Sequence, residues 1–345
     1  MDRQHRITTP GPLLDDQGRL REPGWATSLL LSYDRAAIRA SGLRIKEWDY
    51  YCVNNGRFAL AVTIADNGYM GMDSVSLLDL EQRWEITTSP MQPLTLGRKG
   101  APASSETGSL SASGKGYMLL FENDGARRRI VGHMDRFHDR KPIDFCVTLT
   151  DPPRDTMVIA TPFAEKPTAF YYNQKINCLR AEGTVEYDGR TYVFDPATDF
   201  AVLDWGRGVW TYDNTWYWSS ASGLVDGVPF GFNLGYGFGD TSAATENILF
   251  YDGVAHKLDR VDFGIPMNGN KEDYLRPWSF NDNQGRLRLR FIPALDRASC
   301  TNVGVICSDQ HQVFGRFTGQ AVLDDGRVLE LRDFPGFAEK VRNKW

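Results

Sequence analysis

Asx-Gly pairs recur along this chain between short runs rich in β-formers, and they restrict its fold more than any other feature. Asn55-Gly56 separates Tyr50–Val53 from Phe58–Ile64, and Asp188-Gly189 separates Thr184–Tyr187 from Thr191–Phe194. Asp226-Gly227, Asp252-Gly253 and Asp325-Gly326 occupy similar settings. Two-residue hairpin turns need positive φ, which these residue types tolerate. Helical periodicity is sparse: one short helix is expected through Asp34–Ala40 and another through Pro335–Arg342, where Phe337, Ala338 and Val341 would share a face. The pattern predicts an all-β chain of barrels or sandwiches with a few short helices.

At 345 residues the chain exceeds the usual single core, so two domains or one large β architecture are expected. Thr150-Asp151-Pro152-Pro153-Arg154 places two prolines between strand-like runs and suggests a division into residues 1–152 and 153–345. Each half has a Trp-led strand, an Asx-Gly turn and a long apolar strand: Trp48–Tyr51 with Phe58–Ile64, and Trp216–Trp218 with Val228–Phe238. Gly100–Gly116 reads as a long loop inside the first domain.

The balance of 39 basic and 44 acidic residues, with no long basic run, argues against nucleic acid as a partner. The polar start and the absence of any apolar run near 20 residues point to a cytoplasmic protein with no integral membrane segment. The five scattered cysteines are expected to be reduced, with Cys300 and Cys307 the one pair placed to meet across a hairpin.

Chemistry-bearing residues concentrate around Leu203–Trp218. In Trp210–Trp218 a continuous strand would put Trp210, Tyr212, Trp216 and Trp218 on one face, whereas a turn at Asp213-Asn214 would set the aromatics facing each other. Either a tryptophan-rich core or a ligand wall satisfies that pattern. Phe230–Gly239 alternates bulky residues with Gly231, Asn233, Gly235, Gly237 and Gly239, leaving a bare face open to a ligand or to neighbouring aromatics.

Asp204 and Arg207 form the leading polar pair, read either as a proton donor with an anion-orienting cation or as a structural ion pair. Tyr171, Asn173 and Lys175 share strand parity, while Glu246 and Asn247 supply a second polar point. Trp205, Trp210, Trp216, Trp218, Asn233 and Tyr236 complete the expected ligand-binding set, with Asp204, Arg207 and Glu246 as the candidate catalytic groups. His133 and His138 would point to opposite faces of a strand, and no zinc, P-loop, dinucleotide or nucleophile-elbow motif is present, so neither metal nor cofactor is expected.

Phe170–Lys175, Leu203–Trp210, Phe232–Gly237 and Thr245-Glu246-Asn247, in that order, resemble the domain of unknown function 2804 family over nearly the whole chain. More distantly, the glycine-turn hairpin followed by an Asp and a Trp-Gly pair is similar to the two-barrel, lipocalin-like proteins that include carotenoid hydratases and tocopherol cyclases. That resemblance implies two calycin-like antiparallel barrels around a hydrophobic ligand. Here Asp204 runs directly into Trp205-Gly206, without the histidine of those relatives. The leading expectation is binding of a hydrophobic small molecule, with acid chemistry such as hydration, isomerisation or cyclisation. A carbohydrate-active enzyme using Asp204 and Glu246 is the alternative enzyme, and a non-catalytic surface interaction protein the alternative without one.

Overall fold

A computed structural model describes residues 4–303 and 306–345. Besides strands of two or three residues, the first sheet contains β1 (Ile45–Asn54), β2 (Phe58–Asp66), β3 (Met70–Asp79), β4 (Trp84–Thr88), β5 (Gly108–Gly114), β6 (Tyr117–Asn123) and β7 (Arg128–His138). It continues with β8 (Lys141–Thr150), β9 (Met157–Pro162), β10 (Phe170–Tyr187), β11 (Arg190–Phe194) and β12 (Phe200–Val209). Their order is β4-β3-β2-β1-β12-β10-β8-β7-β6-β5, with β9 and β11 attached to β10.

The second sheet holds β13 (Asp213–Val225), β14 (Val228–Tyr236), β15 (Ile248–Tyr251), β16 (Val254–Lys257), β17 (Val261–Gly264), β18 (Trp278–Asp282), β19 (Leu287–Val303), β20 (Ile306–Val322) and β21 (Val328–Lys344). Their order is β16-β15-β14-β13-β21-β20-β19-β18-β17. The molecule is all-β, two curled lipocalin-like sheets whose long strands pair antiparallel.

The turn chemistry acts as physics requires. Asp188-Gly189, Asp226-Gly227 and Asp252-Gly253 have positive φ at both residues and close two-residue hairpins. Asp34 caps only a short 3-10 turn, Arg35–Ala37, and a second lies at Gly42–Arg44. The helix expected through Pro335–Arg342 is instead part of β21, which lies between β13 and β20. Gly336–Glu339 are buried in succession, so the period of two vanishes and Phe337, Ala338 and Val341 mimic a helical stripe. The Gly100–Gly116 loop is shorter than expected, because β5 begins at Gly108. Cys300 sits opposite Asp309 and Cys307 opposite Asn302, so the two thiols do not face, and all five cysteines are free.

The prolines of Thr150–Arg154 do interrupt the ladder between β8 and β9, but β8 pairs with β10, so one sheet spans residue 152. The chain changes sheet between Val209 and Asp213, at Trp210-Thr211-Tyr212. Each sheet wraps its own apolar core, one around Val75, Phe145 and Trp205, the other around Phe232, Phe280 and Phe317. Two further clusters fill the seam between the sheets, and Trp48 and Trp216 pack against both. Every residue of β12 is buried, because one face covers the first core and the other meets the second sheet.

A bulge in β10 fastens the seam. The Asn177 amide donates to the Ser220 hydroxyl (2.8 Å) and the Phe232 carbonyl (3.0 Å), and Cys178 N donates to the Ser222 hydroxyl (3.0 Å). Replacing Asn177 by Ala strands buried acceptors and is expected to cost about 1–3 kcal/mol, read as a lower urea midpoint at unchanged slope. Asn177→Asp, which removes the donor and buries a charge, is expected to cost more. Equal stability of both variants and the parent would show that the bulge does not hold the sheets.

Candidate functional site

Where the two seam clusters meet, ten side chains line a partly open cavity of about 110 Å3. Trp48 enters from β1, Tyr171 and Lys175 from β10, Asp204 from β12 and Trp210 from the crossing between sheets. Trp216 and Trp218 come from β13, Phe238 and Glu246 from the connection after β14, and Glu339 from β21. The site exists only because the sheets face each other.

The walls are aromatic. Trp48 stacks on Tyr171 at 6.2 Å and meets Trp210 edge-on at 5.4 Å, while Phe238 sets its edge against Tyr171 and Trp210 at 4.9 Å and Trp216 at 5.3 Å. Gly206, the register partner of Trp48, makes this possible: a Cβ there would lie 1.9 Å from the Trp48 ring. Gly235 likewise leaves room for Glu246, whose carboxylate would lie 2.5 Å from an added Cβ. Gly237 (φ 91°) ends the alternation of β14, which turns Phe238 into the cavity although Phe230 and Phe232 belong to the second core.

Polar groups in this chamber are tied to one another. Lys175 Nζ lies 2.9 Å from Asp204 Oδ1 and 4.0 Å from the Trp218 ring centroid, and Asn173 donates to the same Asp204 oxygen at 2.6 Å. Trp218 Nε1 donates to Asn233 Oδ1 (2.7 Å), whose amide donates to the Glu246 main-chain carbonyl (2.9 Å) and carboxylate (3.1 Å). Trp216 Nε1 and Gln312 Nε2 each donate to Glu339 at 2.9 Å. The Tyr171 hydroxyl is buried and its pKa lies well above 10, through desolvation and then the nearby carboxylates.

Burial dominates the acids. Desolvation pushes the Glu339 carboxyl from 4.5 up to about 7, against the lowering effects of its Trp216 hydrogen bond, Lys175 and Arg297. Desolvation also raises Glu246, with Lys175 and Asn233 opposing it and Asp204 adding to it. One lysine thus faces three carboxyl groups, and two of these are biased toward the protonated form.

A family model described as Domain of unknown function (DUF2804) matches residues 4–345. The chain belongs to that family. No curated protein matches it significantly. Among solved structures the DUF2804 chain resembles a putative AttH from Nitrosomonas europaea, with TM-score 0.56, 13% identity, and coverage of 91% of this chain and 96% of that one. It also resembles CghA in a structure with Sch210972, with TM-score 0.51, 11% identity, and coverage of 96% and 97%. At these identities the likeness is one of fold, and it agrees with the lipocalin-like architecture.

Several expected site residues lie elsewhere in this DUF2804 protein. Asp204 and Arg207, three apart on β12, have opposite parity and face opposite sides of the sheet. Arg207 is fully buried on the first-core side, where it donates to Asp49 Oδ1 (2.9 Å), Trp48 O (2.8 Å) and Pro102 O (2.8 Å) and lies over the Trp205 ring. It braces that interior and does not reach the cavity. Trp205 meets Tyr33 and Tyr172 edge-on on the same side.

Tyr236 stacks on Tyr217 at 4.4 Å beside the second core. Asn247 ties Gly235 N to the Asp259 carbonyl. Asn173 and Asn233 orient lining groups from behind. Tyr212 is half exposed, outside the wall. His133 lies at the surface between Asp135 and Asp144.

Three lining residues, Trp48, Phe238 and Glu339, were outside the expected set. The Trp48 register against Gly206 and the φ break at Gly237 depend on strand pairing, and Glu339 lies in a stretch that reads as helix.

The raised pKa of Glu339 gives stability a definite pH dependence. The unfolded chain releases this proton near 4.5 and the folded chain near 7, so stability falls as pH rises between those values, by roughly 3 kcal/mol in total. In Glu339→Gln that share of the fall is expected to disappear, read from urea midpoints at pH 5 and pH 8. An unchanged difference between the two pH values would place the Glu339 carboxyl in the ordinary range.

Proposed function

We propose that this DUF2804 protein binds a largely apolar small molecule in the inter-sheet cavity and acts on it by acid chemistry, namely hydration, isomerisation or cyclisation. The observation that carries this reading is Glu339, a buried carboxyl raised to about 7 that shares an aromatic chamber with the Lys175–Asp204 ion pair. A general acid works best when its pKa is close to the working pH. Protonating an alkene or a carbonyl develops positive charge on the ligand. Indole and phenyl faces stabilise such charge by their quadrupoles, as Trp218 does for Lys175.

In a hydration, Glu339 gives its proton to one alkene carbon, water supplies oxygen to the other, and the remaining water proton restores the carboxyl. In an isomerisation, the proton enters from Glu339 and a different proton leaves to a neighbouring carboxylate, for which Asp204 and Glu246 are placed. Lys175 holds Asp204 in position and compensates charge in the chamber. The cavity is somewhat smaller than one that holds a benzene ring, so a first ring fits with little adjustment and larger ligands extend through the opening. The shared fold with CghA, crystallised with Sch210972, supports a ligand-holding role for this architecture.

The test begins with mass spectrometry of the purified protein to find the retained ligand, followed by turnover and binding with that compound. Glu339→Gln is expected to lower kcat by about 10²–10⁴ while binding changes by only a few fold, and kcat/KM of the parent is expected to fall above pH about 7 as the acid ionises. Trp218→Ala is expected to weaken binding, because it strips the chamber of both a wall and the Lys175 partner. Full turnover in Glu339→Gln would defeat the acid assignment. Unaltered ligand in the parent would leave the binding half alone standing.

A further inference from the structure

One row beyond the cavity, on the same face of β1, lies a cluster of hydrogen-bond donors that the proposed chemistry does not use. Lys46 is two residues from Trp48, about 7 Å along the strand, and is 1% exposed. Its ammonium makes no hydrogen bond or ion pair with any described residue. Its Nζ stands 5.0 Å from the Tyr69 ring centroid, 5.1 Å from that of Trp345 and 5.6 Å from that of Trp210. All three rings end in a donor that is itself buried and unpaired: Tyr69 OH, Trp345 Nε1 and Trp210 Nε1. The Trp210 indole nitrogen lies over Gly208, the register partner of Lys46, which places it in the same row.

Such a collection is physically one-sided. Buried polar groups are nearly always paired, and an unmatched one costs about 1–3 kcal/mol. Random packing defects would leave donors and acceptors alike unpaired. Here the ammonium and both indoles can only donate, and the phenol also offers a proton. The charged group acting on Lys46 is another cation, Arg44, whose guanidinium donates to the main-chain oxygens of Trp345 (2.8 Å) and Trp210 (2.7 Å). Desolvation, with a smaller push from Arg44, lowers the Lys46 ammonium from 10.5 to about 7. The missing partner is therefore an acceptor, and a negatively charged one would offset both the burial and the repulsion from Arg44.

We propose that Lys46, Tyr69, Trp210 and Trp345 form an oxyanion subsite for the carboxylate of the molecule whose apolar body occupies the aromatic cavity. Trp210 is common to both regions, its ring lining the cavity and its indole nitrogen serving the anion. The inference rests on the cavity reading and adds the ligand class, a carboxylic acid with an apolar body. Lys175 is not this subsite's cation, because Asp204 already occupies it.

The test is calorimetric titration of the full chain with 3-phenylpropanoate and with 3-phenylpropanamide, which differ only at the head group. The acid is expected to bind at least about tenfold more tightly than the amide. At pH 8 its binding takes up a proton as Lys46 recharges, seen as a heat that varies with the ionisation enthalpy of the buffer. Lys46→Met abolishes both the preference and the uptake while leaving the amide affinity unchanged. Tyr69→Phe keeps its ring, Trp345→Phe keeps an aromatic face without the N–H, and each lowers the preference by a few fold, so the outcome does not depend on the folding of one variant. Equal binding of acid and amide by the parent overturns the subsite and leaves the cavity reading intact. Binding of neither probe overturns both.

Discussion

A lysine ammonium removed from water must be matched by charge and by polarisable surface, and the seam of this molecule is organised around that requirement at Lys175. Its partner Asp204 lies opposite it on the adjacent strand, and the Trp218 ring covers its other side from the second sheet. The ion pair therefore belongs to the first sheet, and the second sheet covers it. Removing the second sheet would expose the pair to water and dissolve the chamber. Asn173 and Asn233 extend the arrangement outward by fixing the Asp204 oxygen and the Trp218 indole.

Two-sided burial is the structural price of placing a site there. β12 and the Phe170–Leu179 part of β10 cover the first core with one face and the seam with the other, so charged residues occur inside stretches whose every position is buried. Each side solves its own electrostatics. Arg207 pairs with Asp49 and main-chain carbonyls on the core side, whereas Asp204, three residues earlier on the same strand, serves the chamber. Glu339 and Glu246 form no ion pair with any described residue, and desolvation raises both carboxyls, Glu339 to about 7. The acid character of the chamber follows from having more carboxyl groups than lysines in a buried space.

Much of the fold was legible because its cause is local. Asp188-Gly189 and Asp226-Gly227 announce hairpins through their φ requirements, and these hairpins form. The bare face of Phe230–Gly239 and the shared parity of Tyr171, Asn173 and Lys175 are also local facts, and Tyr171, Lys175 and Glu246 come together at one cavity. Arg207 was misplaced where parity alone argues otherwise, since an interval of three on a strand separates side chains. Glu339 and Trp48 could not be read because their relation to the site is set by pairing β21 with β13 and β1 with β12. The change of sheet at Trp210–Tyr212 carries no proline or glycine signal, while the prolines of Thr150–Arg154 mark only a break within one sheet.

The central claim is that the seam keeps a carboxylic acid protonated near neutral pH inside an aromatic chamber. Its most direct test is a carboxyl-carbon NMR titration of the folded protein with Glu339 assigned through Glu339→Gln. The account predicts a Glu339 midpoint at about 7, with the acid still protonated at pH 6. A midpoint near 4.5 would contradict it and would leave the chamber a packed, fully ionised polar seam.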